Sequence, residues 1–196
     1  DGSAESIQRI HYWSRKARTP SFRDHAHHAL EQIARERGCT REELLERAVP
    51  TLGFDQNGVR SFDFGARGTL EISVDRDGGV RMVDEKGKVW ERIPGKLVAD
   101  DEDDFTARRE SLKNLRREIR ESASMVRDNL IEAMTTRRSW DAETFTAVWI
   151  DNPFARSFAL GLIWMLERDA PMACRLDETL VLVNIDDEAR DFEDPP

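Results

Sequence analysis

The chain has two groups of residues whose types and spacing could support chemistry, a pair of histidines and a row of basic residues. His25 and His28 lie three residues apart in a segment of helical periodicity, so both rings could face one metal ion. However, no Glu or Cys stands at a recognised offset as a third ligand, and the His-Glu-x-x-His pattern is absent. We therefore predict no metal site and no cofactor, and we keep His25 and His28 only as weak metal candidates.

Basic side chains concentrate on one segment in the middle of the chain. Residues 105–138 contain nine Lys and Arg against five Asp and Glu, although the whole chain has a net charge of -9. A row of this kind can contact the phosphates of a nucleic acid. Interleaved Glu residues favour a solvated helix face instead. The candidate contact residues are Arg108, Arg109, Lys113, Arg116, Arg117 and Arg120.

Trp90 is a further candidate for contact with a partner. The alternation of Val89 and Ile93 predicts that both point into the core, which leaves Trp90 on the opposite face of its strand. It would then either meet a helix on the second face of the sheet or anchor a partner protein. Trp140, Trp149 and Trp164 fall among apolar residues of predicted C-terminal helices and indicate packing.

No combination of residues indicates catalysis. The chain has no nucleophile elbow, no phosphate-binding glycine loop followed by lysine and no dinucleotide fingerprint. We therefore predict no catalytic residues. Two distant cysteines, Cys39 and Cys174, indicate free thiols in a reducing compartment, and no apolar run could cross a bilayer. A cytoplasmic protein without membrane contact is expected.

The elements that position these residues alternate between two periodicities. Residues 1–48 predict a helical hairpin followed by a short helix with a Thr40-Glu43 capping box, and residues 49–98 predict a β meander with glycine turns. Residues 99–168 predict a long amphipathic helix and a helical pair, and residues 169–196 a final strand at Leu180–Ile185 with an acidic tail.

Together these elements predict an α+β fold. The small antiparallel meander would pack against the N-terminal hairpin and the C-terminal helices, because a sheet with one apolar face is unstable alone. We expect one compact domain that forms a fragment of a larger protein.

Several segments carry a resemblance to a known family. They are Glu46-Arg-Ala-Val-Pro50, Phe62-Asp-Phe-Gly65-Ala-Arg67, Arg137-Arg-Ser-Trp140 and Asn152-Pro153. In order and spacing the chain resembles large bacterial proteins called molybdate metabolism regulators (MolR-like). Relatives of that kind have histidine where this chain has Asn152. The resemblance implies an internal part of a shared region of unknown function, and it implies no agreed catalytic residue.

Three functions follow as hypotheses. The first is a non-catalytic regulatory or scaffolding module that contacts protein partners or other domains of its parent chain. The second is transcriptional regulation through nucleic-acid contact by the Arg-rich helix. The third is an enzyme with a site formed by His25 or His28 and carboxylates.

Overall fold

The computed structural model describes residues 3–167, 170–190 and 192, and within them it confirms the predicted α+β fold. The helices are α1 (Ala4–Lys16), α2 (Pro20–Glu36), α3 (Arg41–Arg47), α4 (Glu102–Thr136), α5 (Ala142–Phe145) and α6 (Pro153–Ala159). The first sheet contains β1 (Val59–Asp63), β2 (Thr69–Val74), β3 (Val80–Asp84) and β4 (Val89–Trp90). The second contains β5 (Ile163–Leu166), β6 (Met172–Leu176), β7 (Leu182–Val183) and β8 (Ala189–Arg190).

The chain divides into two compact units. The first unit is Asp1–Pro50 with Met125–Ser139, and the second unit is Thr51–Ser124 with Trp140–Pro196. Helix α4 therefore supplies residues to both units. That the four predicted segments, 1–48, 49–98, 99–168 and 169–196, form one compact domain stays a prediction.

The first unit is helical, and its ends are set by local signals in the sequence. Thr40 accepts a hydrogen bond from the Glu43 amide at 3.1 Å while the Glu43 carboxylate accepts one from the Thr40 amide at 2.8 Å, as the predicted capping box requires. Gly38 follows α2 with a positive φ of 66°, a conformation that glycine adopts without strain. The core of this unit contains Ile7, Leu30, Ala34, Leu44, Leu45 and Ala48.

The first sheet of the second unit is the predicted antiparallel meander. Leu70, Ile72 and Met82 are fully buried on one face, and Ile72 lies directly opposite Met82. Phe64 meets Phe105 of α4 edge to face at 5.9 Å, so this face packs on the N-terminal part of α4.

The register at β4 corrects the sequence prediction. Trp90 pairs with Met82, so its side chain lies on the buried face, whereas Val89 is exposed. Ile93 lies beyond the strand. A strand of two residues is too short for its apolar alternation to be read from the sequence. Polar side chains next to the Trp90 ring allow it, and not Val89, to face inward.

The second sheet corrects two further predictions. The second helix of the pair predicted within residues 99–168 ends at Ala159, and residues 163–166 form β5 instead. The single final strand expected at Leu180–Ile185 is reduced to β7, which pairs with both β6 and β8. Trp140, Phe145, Trp149 and Trp164 form an aromatic cluster here, with the Phe145 and Trp164 rings 4.8 Å apart. The end of the predicted acidic tail, 193–196, lies outside the described residues.

Candidate functional site

An aromatic groove lies at the corner between α1 and α2, within the first unit. It has a volume of about 770 Å³, and we call it the α1–α2 groove. Its described lining residues are Tyr12, Trp13, Lys16, Ala17, Arg18, Thr19, Ser21, Phe22 and His25. Its three aromatic residues are exposed, with 51% of Tyr12, 43% of Trp13 and 53% of Phe22 accessible to solvent.

The corner that carries the groove is fixed by the ends of two helices. Ala17 is extended and ends α1, and Pro20 begins α2 with Thr19 before it. The Arg23 guanidinium donates to the Ala17 carbonyl oxygen at 3.1 Å, which ties α2 to the end of α1. The groove is therefore built on short, well-defined turns.

The three aromatic rings form a continuous row. Tyr12 and Trp13 meet edge to face with centroids 5.4 Å apart, and Trp13 meets Phe22 in the same way at 5.9 Å. Such contacts hold the side chains in place while the row stays open to solvent. Contiguous exposed aromatic surface is typical of protein-binding sites.

The charged side chains that line the groove are the cations of Lys16 and Arg18, and no acid is among the described lining residues. His25 Nδ1 lies 2.6 Å from the Ser21 carbonyl oxygen, so it carries the proton and donates it to that oxygen. In the neutral ring, the Nε2 atom is then a hydrogen-bond acceptor.

A serine nucleophile in the groove is disfavoured by the same contact. Ser21 Oγ lies 3.5 Å from His25 Nδ1, but that nitrogen already donates to the Ser21 carbonyl and has no lone pair for a proton. The pair therefore lacks the geometry of a nucleophile and its base. Apolar and charge contacts are what the groove can offer.

The two weak metal candidates, His25 and His28, direct their Nδ1 atoms to different partners. His28 Nδ1 faces Glu31 at 3.5 Å, while His25 Nδ1 is held by its own helix. In the described parts of the chain, no three His, Cys, Asp or Glu side chains converge as a metal-binding group.

Trp90 is held in place by polar side chains. Its indole Nε1 donates to Asp84 Oδ2 at 2.9 Å, Lys88 Nζ lies 3.8 Å from the ring centroid, and the Arg67 guanidinium carbon lies 4.7 Å from it. The bond from Trp90, together with backbone amides and Lys88, lowers the pKa of Asp84. The ring is half-buried, and it joins the loop before β2 to the hairpin of β3 and β4.

The basic residues of α4 separate into two sets. Arg108 binds the Asp63 carboxylate at 2.5 Å and Arg116 donates to the Glu91 carbonyl oxygen at 3.4 Å, so both face the meander. The remaining four, which we call the α4 basic row, are exposed: Arg109, Lys113, Arg117 and Arg120. Their spacing puts them on one face of the helix, because 3.6 residues make a turn.

His11 is a buried histidine that was not among the predicted site residues. His11 is only 7% exposed, and its Nε2 has no hydrogen-bond partner among the described residues. Burial, with Arg15 and Arg41 nearby, lowers its pKa from 6.5 to about 4. The spacing of Ile7, His11 and Ser14, all buried on one face of α1, is the signal that could have found it.

The helices offer no segment for crossing a bilayer: within the described ranges, none is both long and apolar enough.

Comparison with known proteins places the chain in a family. It is 30% identical over 159 residues to the uncharacterized protein YehI of Escherichia coli (strain K12); the match covers 81% of this chain and 13% of YehI. This chain therefore spans a small part of that relative. No solved structure matches the chain significantly. The model of the domain of unknown function DUF4132 matches residues 87–194, more than half of the chain, and the chain therefore belongs to the DUF4132 family.

Proposed function

We propose that the chain is a non-catalytic module that works by binding another protein through the α1–α2 groove. The observation that carries this proposal is the exposed row of Tyr12, Trp13 and Phe22. Leaving three large aromatic side chains half in water forgoes the free energy of burying them, and a partner that covers them recovers it. Trp, Tyr and Arg are also the residues that contribute most to protein interfaces.

Site-specific photocrosslinking in cells tests the proposal. With p-benzoylphenylalanine in place of Phe22, we expect discrete crosslinked products that contain a second protein. The matched control puts the same residue at Met134, an apolar side chain of the first unit that is 74% exposed and outside the groove lining. Equal crosslinking at both positions, or none at Phe22, would contradict the proposed function.

We also propose that the chain is related to the MolR-like proteins. In support, two of the segments that carry the resemblance meet within the first unit, where Glu46 pairs with Arg138 at 3.3 Å. The resemblance thus concerns architecture, and regulation by molybdate forms no part of the proposal.

Nucleic-acid binding through the α4 basic row is the second candidate function. Its support is that Glu110, Glu118 and Glu121 follow a different line on the helix from Arg109, Lys113, Arg117 and Arg120, so the opposite charges separate on the surface. Lys113 and Glu110 still contact each other at 3.3 Å, which weakens the separation.

A salt titration on duplex DNA tests the second candidate. If it is correct, binding appears near 50 mM salt. Changing the four basic residues to Gln should then make the negative slope of log K against log salt shallower by about 0.9 per lost phosphate contact. The control changes Glu110, Glu118 and Glu121 to Gln, which should strengthen binding. Absence of binding at 50 mM salt would remove this candidate.

A further inference from the structure

We propose that the α1–α2 groove binds an acidic peptide segment of a partner protein, anchored by one aromatic side chain. This inference rests on the proposed protein-binding function and adds the chemistry of the partner. It combines the exposed aromatic row with the cationic lining of the same groove.

Charge complementarity favours an acidic partner. Lys16 is exposed at the end of α1 and Arg18 at the turn that follows it, so the lining has two exposed positive charges. The first turn of α2, which opens at the same corner, contains no acidic residue, and the Thr19 side chain does not cap it. Its dipole adds to the attraction for carboxylates.

The charge of each unit points the same way. The first unit contains 12 Lys and Arg against 10 Asp and Glu, whereas the second contains 18 against 29. An acidic segment would be repelled by the second unit and accepted by the first. The groove lies in the unit that has the positive net charge.

The arrangement of the rings favours an aromatic anchor over a cationic one. A cage for an alkylated ammonium group needs ring faces around an empty space. Here Trp13 meets both Tyr12 and Phe22 edge to face, and Lys16 and Arg18 would repel a cation. An aromatic side chain can instead extend the row by one more edge-to-face contact.

A single-stranded nucleic acid is the competing anionic ligand. Proteins that bind one combine stacking rings with a basic groove that follows the backbone over several nucleotides. The α1–α2 groove supplies cations only at its helix corner, and one aromatic row a few residues long. A site of that length fits one aromatic side chain of a peptide with a few flanking carboxylates better than it fits several nucleotides.

Fluorescence anisotropy with synthetic ligands tests the proposal on the 196-residue chain. The probe is a labelled decapeptide of Asp and Glu with one central Trp. We expect it to bind about tenfold tighter than the same peptide with Asn and Gln for the acids, and about tenfold tighter than one with Gly for Trp. A Lys-based peptide and a ten-nucleotide oligothymidine should bind more weakly than the probe.

Variants of the lining residues test where the probe binds and whether its charge matters. Trp13→Ala should lower the affinity for the probe about tenfold, a typical loss for an aromatic anchor. The double variant Lys16→Glu with Arg18→Glu should no longer bind the acidic probe and should bind the Lys-based peptide instead. Met134→Ala, outside the groove lining, should bind as the unaltered protein does, and circular dichroism of each variant verifies folding.

The outcomes separate this inference from the proposed function. If the probe fails to bind, or binds no tighter than the neutral or Lys-based peptide, the acidic partner is wrong. Crosslinking of a protein at Phe22 would then still support the protein-binding function. Tighter binding of oligothymidine would overturn the peptide in favour of nucleic acid. If the peptide binds but no protein is crosslinked at Phe22, the proposed function fails.

Discussion

His11 places an imidazole ring inside the first unit, where its protonation is unfavourable. Arg15 of α1, His27 of α2 and Arg41 of α3 oppose a positive charge on the ring, and Asp128 of α4 favours one less strongly than burial opposes it. The Nε2 atom finds no acceptor or donor among the described residues. Burial of the neutral ring therefore links the stability of this unit to pH.

We predict that the first unit loses stability as the pH falls from about 6.5 to about 4. The folded pKa of His11 is lowered to about 4, so between these values the unfolded chain binds the extra proton. The loss over the whole window is at most about 3 kcal/mol, at 1.36 kcal/mol per pKa unit. Native-state hydrogen exchange of α1 amides measures it.

His11→Leu should flatten this pH dependence because leucine has no proton to bind. His28→Leu is the matched control, since the His28 side chain is 78% exposed. If α1 exchange keeps the same pH slope in His11→Leu, another group is responsible for the dependence.

The pair of Glu46 and Arg138 predicts a large effect of removing one partner. Glu46 is 6% exposed, and its two carboxylate oxygens accept from Arg138 Nε and Arg138 Nη2, each at 3.3 Å. Arg138→Ala leaves a buried carboxylate without its cation, which costs about 3 kcal/mol. Urea unfolding followed by hydrogen exchange in α3 measures the loss.

The double variant Glu46→Gln with Arg138→Ala should recover part of that loss, because no buried charge is left alone. The exposed pair of Arg9 and Glu5 provides the control: at 3.9 Å and in water, Arg9→Ala should cost under about 0.5 kcal/mol. If Arg9→Ala and Arg138→Ala lower the free energy of unfolding equally, the burial of Glu46 does not make its ion pair more important for stability.

At the scale of elements, the turn between β2 and β3 shows how closely the meander packs. Gly78 has φ of 77°, and a Cβ atom there would stand 2.9 Å from the Ala123 Cβ atom of α4 and 3.3 Å from the Phe158 ring of α6. Gly87, in the next turn, has the same φ with nothing within 4 Å. The two glycines thus share one backbone requirement and differ in packing.

We predict that Gly87→Ala costs about 1 kcal/mol, the strain of a left-handed alanine. Gly78→Ala adds a steric conflict and should cost roughly 1–3 kcal/mol more. Urea unfolding of both variants, monitored through hydrogen exchange in β2 and β3, gives the difference. Equal costs would mean that α4 and α6 yield to the added methyl group.

The elements that were predictable have strong local signals. The capping box at Thr40, the Asn152-Pro153 helix start and the glycine turns of the meander depend on neighbouring residues alone. β5 lacked such a signal, because Ile163 and Met165 are apolar yet exposed, and no alternation could be read. The inward orientation of Trp90 depends on Asp84, Lys88 and Arg67, which only the fold brings to the ring.

The candidate site was predictable only in part. Trp13 belonged to a periodic helix, and its exposure follows from the way α1 and α2 pack through Ile7, Leu30 and Ala34. The two sets of basic residues on α4 likewise separate only when the meander takes up Arg108 and Arg116. Which face of a helix is left open is a tertiary property.

At the scale of the whole molecule, the acidic charge is concentrated in one of the two units. The second unit has an excess of 11 acids over bases, and the first an excess of two bases. Like charges within one unit repel each other, and salt screens that repulsion. Ion pairs such as Arg15 with Asp128 at 3.1 Å stabilise the first unit, and salt weakens them.

We therefore predict that salt affects the two units in opposite directions. Raising NaCl from low to moderate concentration should stabilise the second unit by on the order of 1 kcal/mol, the sum of several weak surface terms. The first unit should stay unchanged or lose stability. Hydrogen exchange in β2 and β3, compared with α1 and α2 in the same sample, measures both units under identical conditions.

Changing the exposed acids Asp151, Glu167 and Glu178 to amides provides the control, because it lowers the charge of the second unit without touching the first. The stabilisation by salt should shrink in β2 and β3 and stay the same in α1 and α2. Sucrose in place of NaCl separates screening from a general solvent effect, since it has no charge. If both units respond to salt alike, or if the amide variant responds as the unaltered chain does, net charge does not set their stabilities.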